Sequence, residues 1–146
     1  MAYNDIGGAN HDAVWSTGYN AADIVYSLNE RFEDVDPTGF YENDVTRDAL
    51  FNQAVSGSVM ADFFGQANQV VAAAVATPSV KAGMVTVLLG NNDVCAPTLD
   101  AMTDPALFES QYRAGLDILA GSDATKNAFF MFRVFLPSIG CGMPGV

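Results

Sequence analysis

The sequence predicts an α/β fold with a mostly parallel sheet. Two observations carry that prediction. Runs with the three-to-four-residue apolar spacing of helices alternate along the chain with short strand-like runs. The run at 84–89 is also apolar almost throughout, without alternation. That is the pattern of a strand covered on both faces, as in a parallel sheet. The predicted order is helix, strand, helix, strand, helix, strand, which calls for right-handed crossovers and helices packed on the sheet faces.

Each element has a local reason. Residues 1–20 are rich in Gly, Asn and Asp and read as irregular chain. A helix is predicted over 21–32, where Ala22, Val25, Leu28 and Phe32 share a face, with Asn20 as cap and Asp23 in the first turn. Residues 33–48 are acidic, broken by Pro37 and Gly39, and read as a surface loop. The short apolar run 49–55 is predicted as a strand, although Asn52 and Gln53 interrupt it. Ser58 is then positioned to cap a helix over 59–77, whose stripe is Phe63, Ala67, Val70 and Ala74, with Met60 and Val71 beside it. Pro78 ends that helix. After the strand at 84–89, residues 91–103 read as loop. Pro105 fits a first helical position behind Thr103 or Asp104 as cap, and the helix runs to about Ala120 and stops at Gly121. A third strand, rich in Phe and Val, is predicted over 127–136. The tail I-G-C-G-M-P-G-V reads as loop.

Bulk properties exclude several functions. The 146 residues suffice for one domain. Six basic residues stand against seventeen acidic ones, a net charge of -11. Nucleic acid and anionic membrane are poor partners for such a surface, because phosphate binding needs clustered Lys and Arg. The most apolar runs, around 69–77 and 128–136, are too short to span a bilayer, so a soluble protein is expected. No signal peptide is visible at the amino terminus; removal of an upstream one would make the protein secreted. Localisation stays open. Cys95 and Cys141 allow at most one disulfide, whose pairing depends on geometry. No Cys/His cluster suggests zinc, and no cofactor is implied. The acidic stretch 30–48 reads as a solvated face, with weak calcium binding through oxygen ligands as the alternative.

Two polar loops sit at predicted strand ends, where ligands collect in open parallel sheets. One is Ser56-Gly57-Ser58. The other is Gly90-Asn91-Asn92-Asp93. The Gly57 N–H and the Asn92 amide are donors of the kind that form an oxyanion hole when they converge on one oxygen. Taken as residues alone, the two asparagines and Asp93 are as well explained by bonds to loop backbone.

The stretch V-T-V-L-L-G-N-N-D-V-C, residues 85–95, resembles the third conserved block of the SGNH hydrolases, the GDSL lipase and esterase superfamily. Residues 52–63, N-Q-A-V-S-G-S-V-M-A-D-F, resemble the second block, and F-R-V-F-L-P-S-I at 132–139 resembles the strand that follows. The resemblance implies a three-layer, flavodoxin-like fold, here a single apparently truncated domain over 1–146. It implies hydrolysis of a carboxylic ester through an acyl-enzyme, with a small acyl ester, a lipid or an acetylated sugar as substrate. It assigns the oxyanion hole to Gly57 and Asn92.

The sequence departs from the family pattern at both ends. It has no G-D-S nucleophile segment and no carboxyl-terminal aspartate–histidine block, and its single histidine is His11. A serine hydroxyl needs an oriented base to act as a nucleophile. Substitutes are Ser16, Ser56 or Ser58 as nucleophile and His11 as base; capping explains Ser58 equally well. The rival expectation is a catalytically inactive structural or interaction module that keeps only the oxyanion-hole part of the site. A missing first strand would leave a sheet edge exposed, which favours self-association.

Overall fold

The computed structural model describes residues 3–5, 8–10, 26–36, 51–79 and 82–132. The chain begins with two short strands, β1 (Tyr3–Asp5) and β2 (Gly8–Asn10), paired antiparallel. The composition of residues 1–20 predicts irregular chain here. A three-residue ladder is held by backbone bonds and does not need the apolar alternation by which a half-buried strand is recognised.

Helix α1 (Leu28–Val35) starts later than the predicted 21–32 helix and runs further. The cause is a capping box. The Ser27 hydroxyl accepts from the Glu30 N–H at 3.1 Å, and the Glu30 carboxylate accepts from the Ser27 N–H at 2.6 Å. The predicted cap Asn20 lies outside the described residues.

The strand predicted at 49–55 does not form in the described part. Phe51 is helical and residues 52–55 have no regular structure. The Asn52 side chain accepts from the Ala54 N–H at 3.1 Å, a local turn that competes with a ladder. Val55 is 65% exposed, so no burial favours a strand there.

A 3-10 turn, Met60–Asp62, leads into helix α2 (Phe63–Ala76). Strand β3 (Met84–Val87) follows, then a single helical turn, α3 (Asn91–Val94), inside the predicted loop. A second 3-10 turn covers Leu99–Ala101. Helix α4 (Pro105–Gly121) has Pro105 in its first turn, and Asp104 caps it by accepting from Ala106 and Leu107. At its far end the buried Thr125 hydroxyl donates to the Leu119 carbonyl at 2.5 Å. Strand β4 (Phe129–Phe132) then pairs with β3, parallel and in the register Met84↔Phe129 to Val87↔Phe132.

The parallel pair and the helical crossover between its strands agree with the predicted α/β class. The layering is narrower than expected among the described residues. Val85, Val87, Phe130 and Phe132 share one sheet face and pack against Met60, Phe63 and Ala67 of the α2 region and Leu119 of α4. Both long helices therefore cover the same face. The strand at β3 is half-buried rather than sealed on both sides, and Phe129 on the other face is 68% exposed.

An aromatic cluster fixes the core. Tyr112 and Phe132 meet edge to face at 5.1 Å, and Phe63 lies 6.4 Å from each. Gly115 lets α4 approach Phe63: a Cβ there would fall 2.2 Å from the ring.

Candidate active site

The residues at 55–58 form a tight turn. The Ser58 N–H donates to the Val55 carbonyl at 3.3 Å, and Gly57 has φ +83°. No residue other than glycine has positive φ among those described, so Ser56 keeps an ordinary conformation and the turn is type II. The bond from the Ser58 N–H to the Val55 carbonyl closes the turn and does not use the Gly57 N–H. Among the described residues the Gly57 N–H has no hydrogen-bond acceptor, and Gly57 is exposed.

Gly90 makes the second turn. Its φ is +106°, in the left-handed region that a Cβ disfavours, and it is buried. This conformation lets the end of β3 turn directly into α3, whose bonds run from the Val94 N–H to the Gly90 carbonyl and from the Cys95 N–H to the Asn91 carbonyl. Cys95 is disulfide-bonded; Cys141, the other cysteine of the sequence, lies outside the described residues.

The two turns are joined by side chains of α3. The Asn92 Nδ2 donates to the Ser58 carbonyl at 2.8 Å, which places the amide against the residue next to Gly57. One Nδ2 hydrogen is used in that bond. The other, on an exposed residue, has no acceptor among the described residues. Asp93 is 3% exposed, and its carboxylate is turned away from solvent. Its Oδ2 accepts from the Met60 N–H at 2.9 Å, and its Oδ1 accepts from the Thr103 hydroxyl at 2.8 Å. The Asp62 carboxylate accepts from the Val59 N–H at 2.9 Å. Two acidic side chains thus serve the first N–H groups of the α2 region, where the helix dipole favours negative charge.

Of the substitutes named from sequence, Ser56 and Ser58 lie among the described residues. Ser58 does not cap the helix through its hydroxyl, because Val59 occupies that position with Asp62 and Asp93 supplying the acceptors. The Ser58 hydroxyl, 8% exposed, instead accepts from the Gln66 Nε2 at 2.8 Å. Ser56 is exposed at the turn. His11 and Ser16 lie outside the described residues. Thr103 was missed in sequence, since nothing local marks a threonine ten positions past Asp93 as its partner. Among the described residues no group of three or more His, Cys, Asp or Glu side chains is arranged to hold a metal ion, and no helix is long and apolar enough to cross a membrane.

The family model described as GDSL-like Lipase/Acylhydrolase matches residues 8–131, most of the chain. The chain belongs to that family. No curated protein and no solved structure matches it. The matched span of this GDSL-family chain includes both turns and the α3 contacts between them. The family assignment places the chain in a hydrolase lineage.

Proposed function

We propose that this chain is a carboxylic ester hydrolase of the GDSL type, in which the Gly57 N–H and the Asn92 amide receive the negative charge of a tetrahedral acyl intermediate. The observation that carries the reading is the Asn92–Ser58 bond at 2.8 Å. It orients the amide beside the Gly57 turn and leaves one of its hydrogens to donate elsewhere. The Gly57 N–H is the second donor, held by a backbone conformation that glycine alone adopts readily. Donors fixed before the substrate arrives need no reorganisation as charge develops, which is why such groups lower a barrier.

The chemistry asked of the site is attack of a hydroxyl oxygen on an ester carbonyl. The carbonyl oxygen becomes the oxyanion, the alcohol leaves with a proton, and water then releases the acid. Ser56 and Ser58 are the described hydroxyls nearest in sequence to Gly57, and Ser16 and His11 are the further candidates for nucleophile and base. A small acyl ester, a lipid or an acetylated sugar fits this reaction.

A second reading, a non-catalytic module that keeps the oxyanion-binding turns, is favoured by one feature of the sequence. Its only histidine, His11, stands far ahead of both turns. Turnover of a short-chain p-nitrophenyl ester separates the two. Under the hydrolase reading, Asn92→Ala lowers kcat by a factor on the order of 10²–10³ with little change in KM, the loss typical of one oxyanion donor. A folded wild-type chain with no turnover supports the module, and an Asn92→Ala variant as fast as wild type removes Asn92 from the site.

A further inference from the structure

We propose that Thr103 is a positioning residue for this site, acting through Asp93 to hold the Asn92 amide on the Ser58 carbonyl. The inference rests on the oxyanion role given above to Asn92. It starts from an otherwise unexplained double contact. Thr103 donates twice to one residue: its N–H to the Asp93 carbonyl oxygen at 3.1 Å and its hydroxyl to Asp93 Oδ1 at 2.8 Å. Asp93 is thereby held at both its backbone and its carboxylate.

The consequence runs through the other carboxylate oxygen. With Oδ1 fixed by Thr103, Oδ2 is directed at the Met60 N–H, 2.9 Å away. Asp93 then ties α3 to the chain just after the Gly57–Ser58 turn. Asn92 is the adjacent residue on α3, and its own bond reaches Ser58. A turn of four residues has few internal bonds to resist rotation. Two anchors to the same segment, Asp93 to Met60 and Asn92 to Ser58, set its angle. Removing the Thr103 hydroxyl leaves Oδ1 without that donor in a buried position and frees the carboxylate to turn away from Met60. Thr103 does not itself touch the proposed oxyanion position. Its effect is exerted through Asp93.

Thr103→Val keeps the side-chain shape and the backbone bond but deletes the hydroxyl; Thr103→Ser retains it. The first readout is the solvent exchange of the Asn92 Nδ2 protons by NMR, with the buried Leu119 backbone amide as the measure of global opening. In Thr103→Val the Asn92 exchange should rise on the order of tenfold, the effect of losing about one hydrogen bond, while Leu119 changes less. Thr103→Ser should restore it. The second readout is ester turnover, in which Thr103→Val should lower kcat on the same order and leave KM nearly constant. If wild type shows no turnover, the hydrolase reading fails and the exchange measurement alone decides the positioning role. Unchanged Asn92 exchange in Thr103→Val overturns the proposal. So does an increase matched at Leu119, which would mark a purely structural threonine. Should Thr103→Val fail to fold, Asp93→Asn takes its place: its Oδ1 can accept from the Met60 N–H while its Nδ2 donates to the Thr103 hydroxyl oxygen, and it must then preserve the Asn92 signal better than Asp93→Ala, the proposal failing if the two are equal.

Discussion

Gly115→Ala isolates the contact on which the helix pair depends. In a helix interior this change normally stabilises by about 1 kcal/mol, because glycine loses more backbone freedom on folding. Here the new Cβ would lie 2.2 Å from Phe63 Cδ1 and 2.6 Å from Cγ and Cε1. Carbon atoms in ordinary contact sit about 3.5–4.0 Å apart, so the overlap exceeds about 1 Å. The Phe63 ring is 3% exposed and pinned by Tyr112 and Phe132, and it cannot withdraw without disturbing both. Overpacking of this kind costs about 1–3 kcal/mol, and loosening the aromatic pairs adds about 0.5–1.5 kcal/mol each. The cost exceeds the propensity gain, leaving a net loss of about 3 kcal/mol. For a chain of this size that lowers Tm by roughly 6–12 °C. Gly65→Ala is the matched control: Gly65 is exposed in α2 with nothing within 4 Å of the added Cβ. Urea denaturation followed by circular dichroism should give opposite signs for the two variants. Gly115→Ala as stable as wild type would refute the packing argument.

Two further outcomes concern local interactions. Ser27→Ala removes one half of the capping box of α1 and should destabilise the chain by about 1 kcal/mol, read from the same denaturation curves. The Asp123 carboxyl is held below its ordinary value by a hydrogen bond from Lys126 and by that residue's charge. A depressed folded value means a contribution present above the ordinary carboxylate range and lost as pH falls through the lowered value. Both groups face water, so Lys126→Ala should return the Asp123 titration to its ordinary position by NMR while leaving Tm at pH 7 unchanged.

The parts of the fold legible in sequence were those with local causes. Asp104 and Pro105 mark the start of α4 because cap and first turn are neighbours in the chain. The apolar run at 84–89 marks β3 because a strand within a sheet carries little else. Residues 52–55 were misread because a short apolar run does not distinguish strand from other conformations, and the Asn52 turn decides the matter. Gly115 gave no signal, since its role depends on where Phe63 arrives from another helix. At the site, residue physics pointed only to two polar loops, and the resemblance singled out Gly57 and Asn92. Asp93 and Thr103 were beyond reach because their contacts depend on how residues 93–103 loop back and how α3 meets the α2 region.

The most direct test of the central claim is reaction with a serine-reactive fluorophosphonate, in which a serine oxygen displaces fluoride from phosphorus and the phosphoryl oxygen takes the oxyanion position. One label per chain is expected on a single serine, identified by peptide mass, with labelling of Asn92→Ala slowed on the order of 10²–10³-fold. A chain with an intact circular dichroism spectrum that takes up no label, or one labelled equally fast without the Asn92 amide, would contradict it.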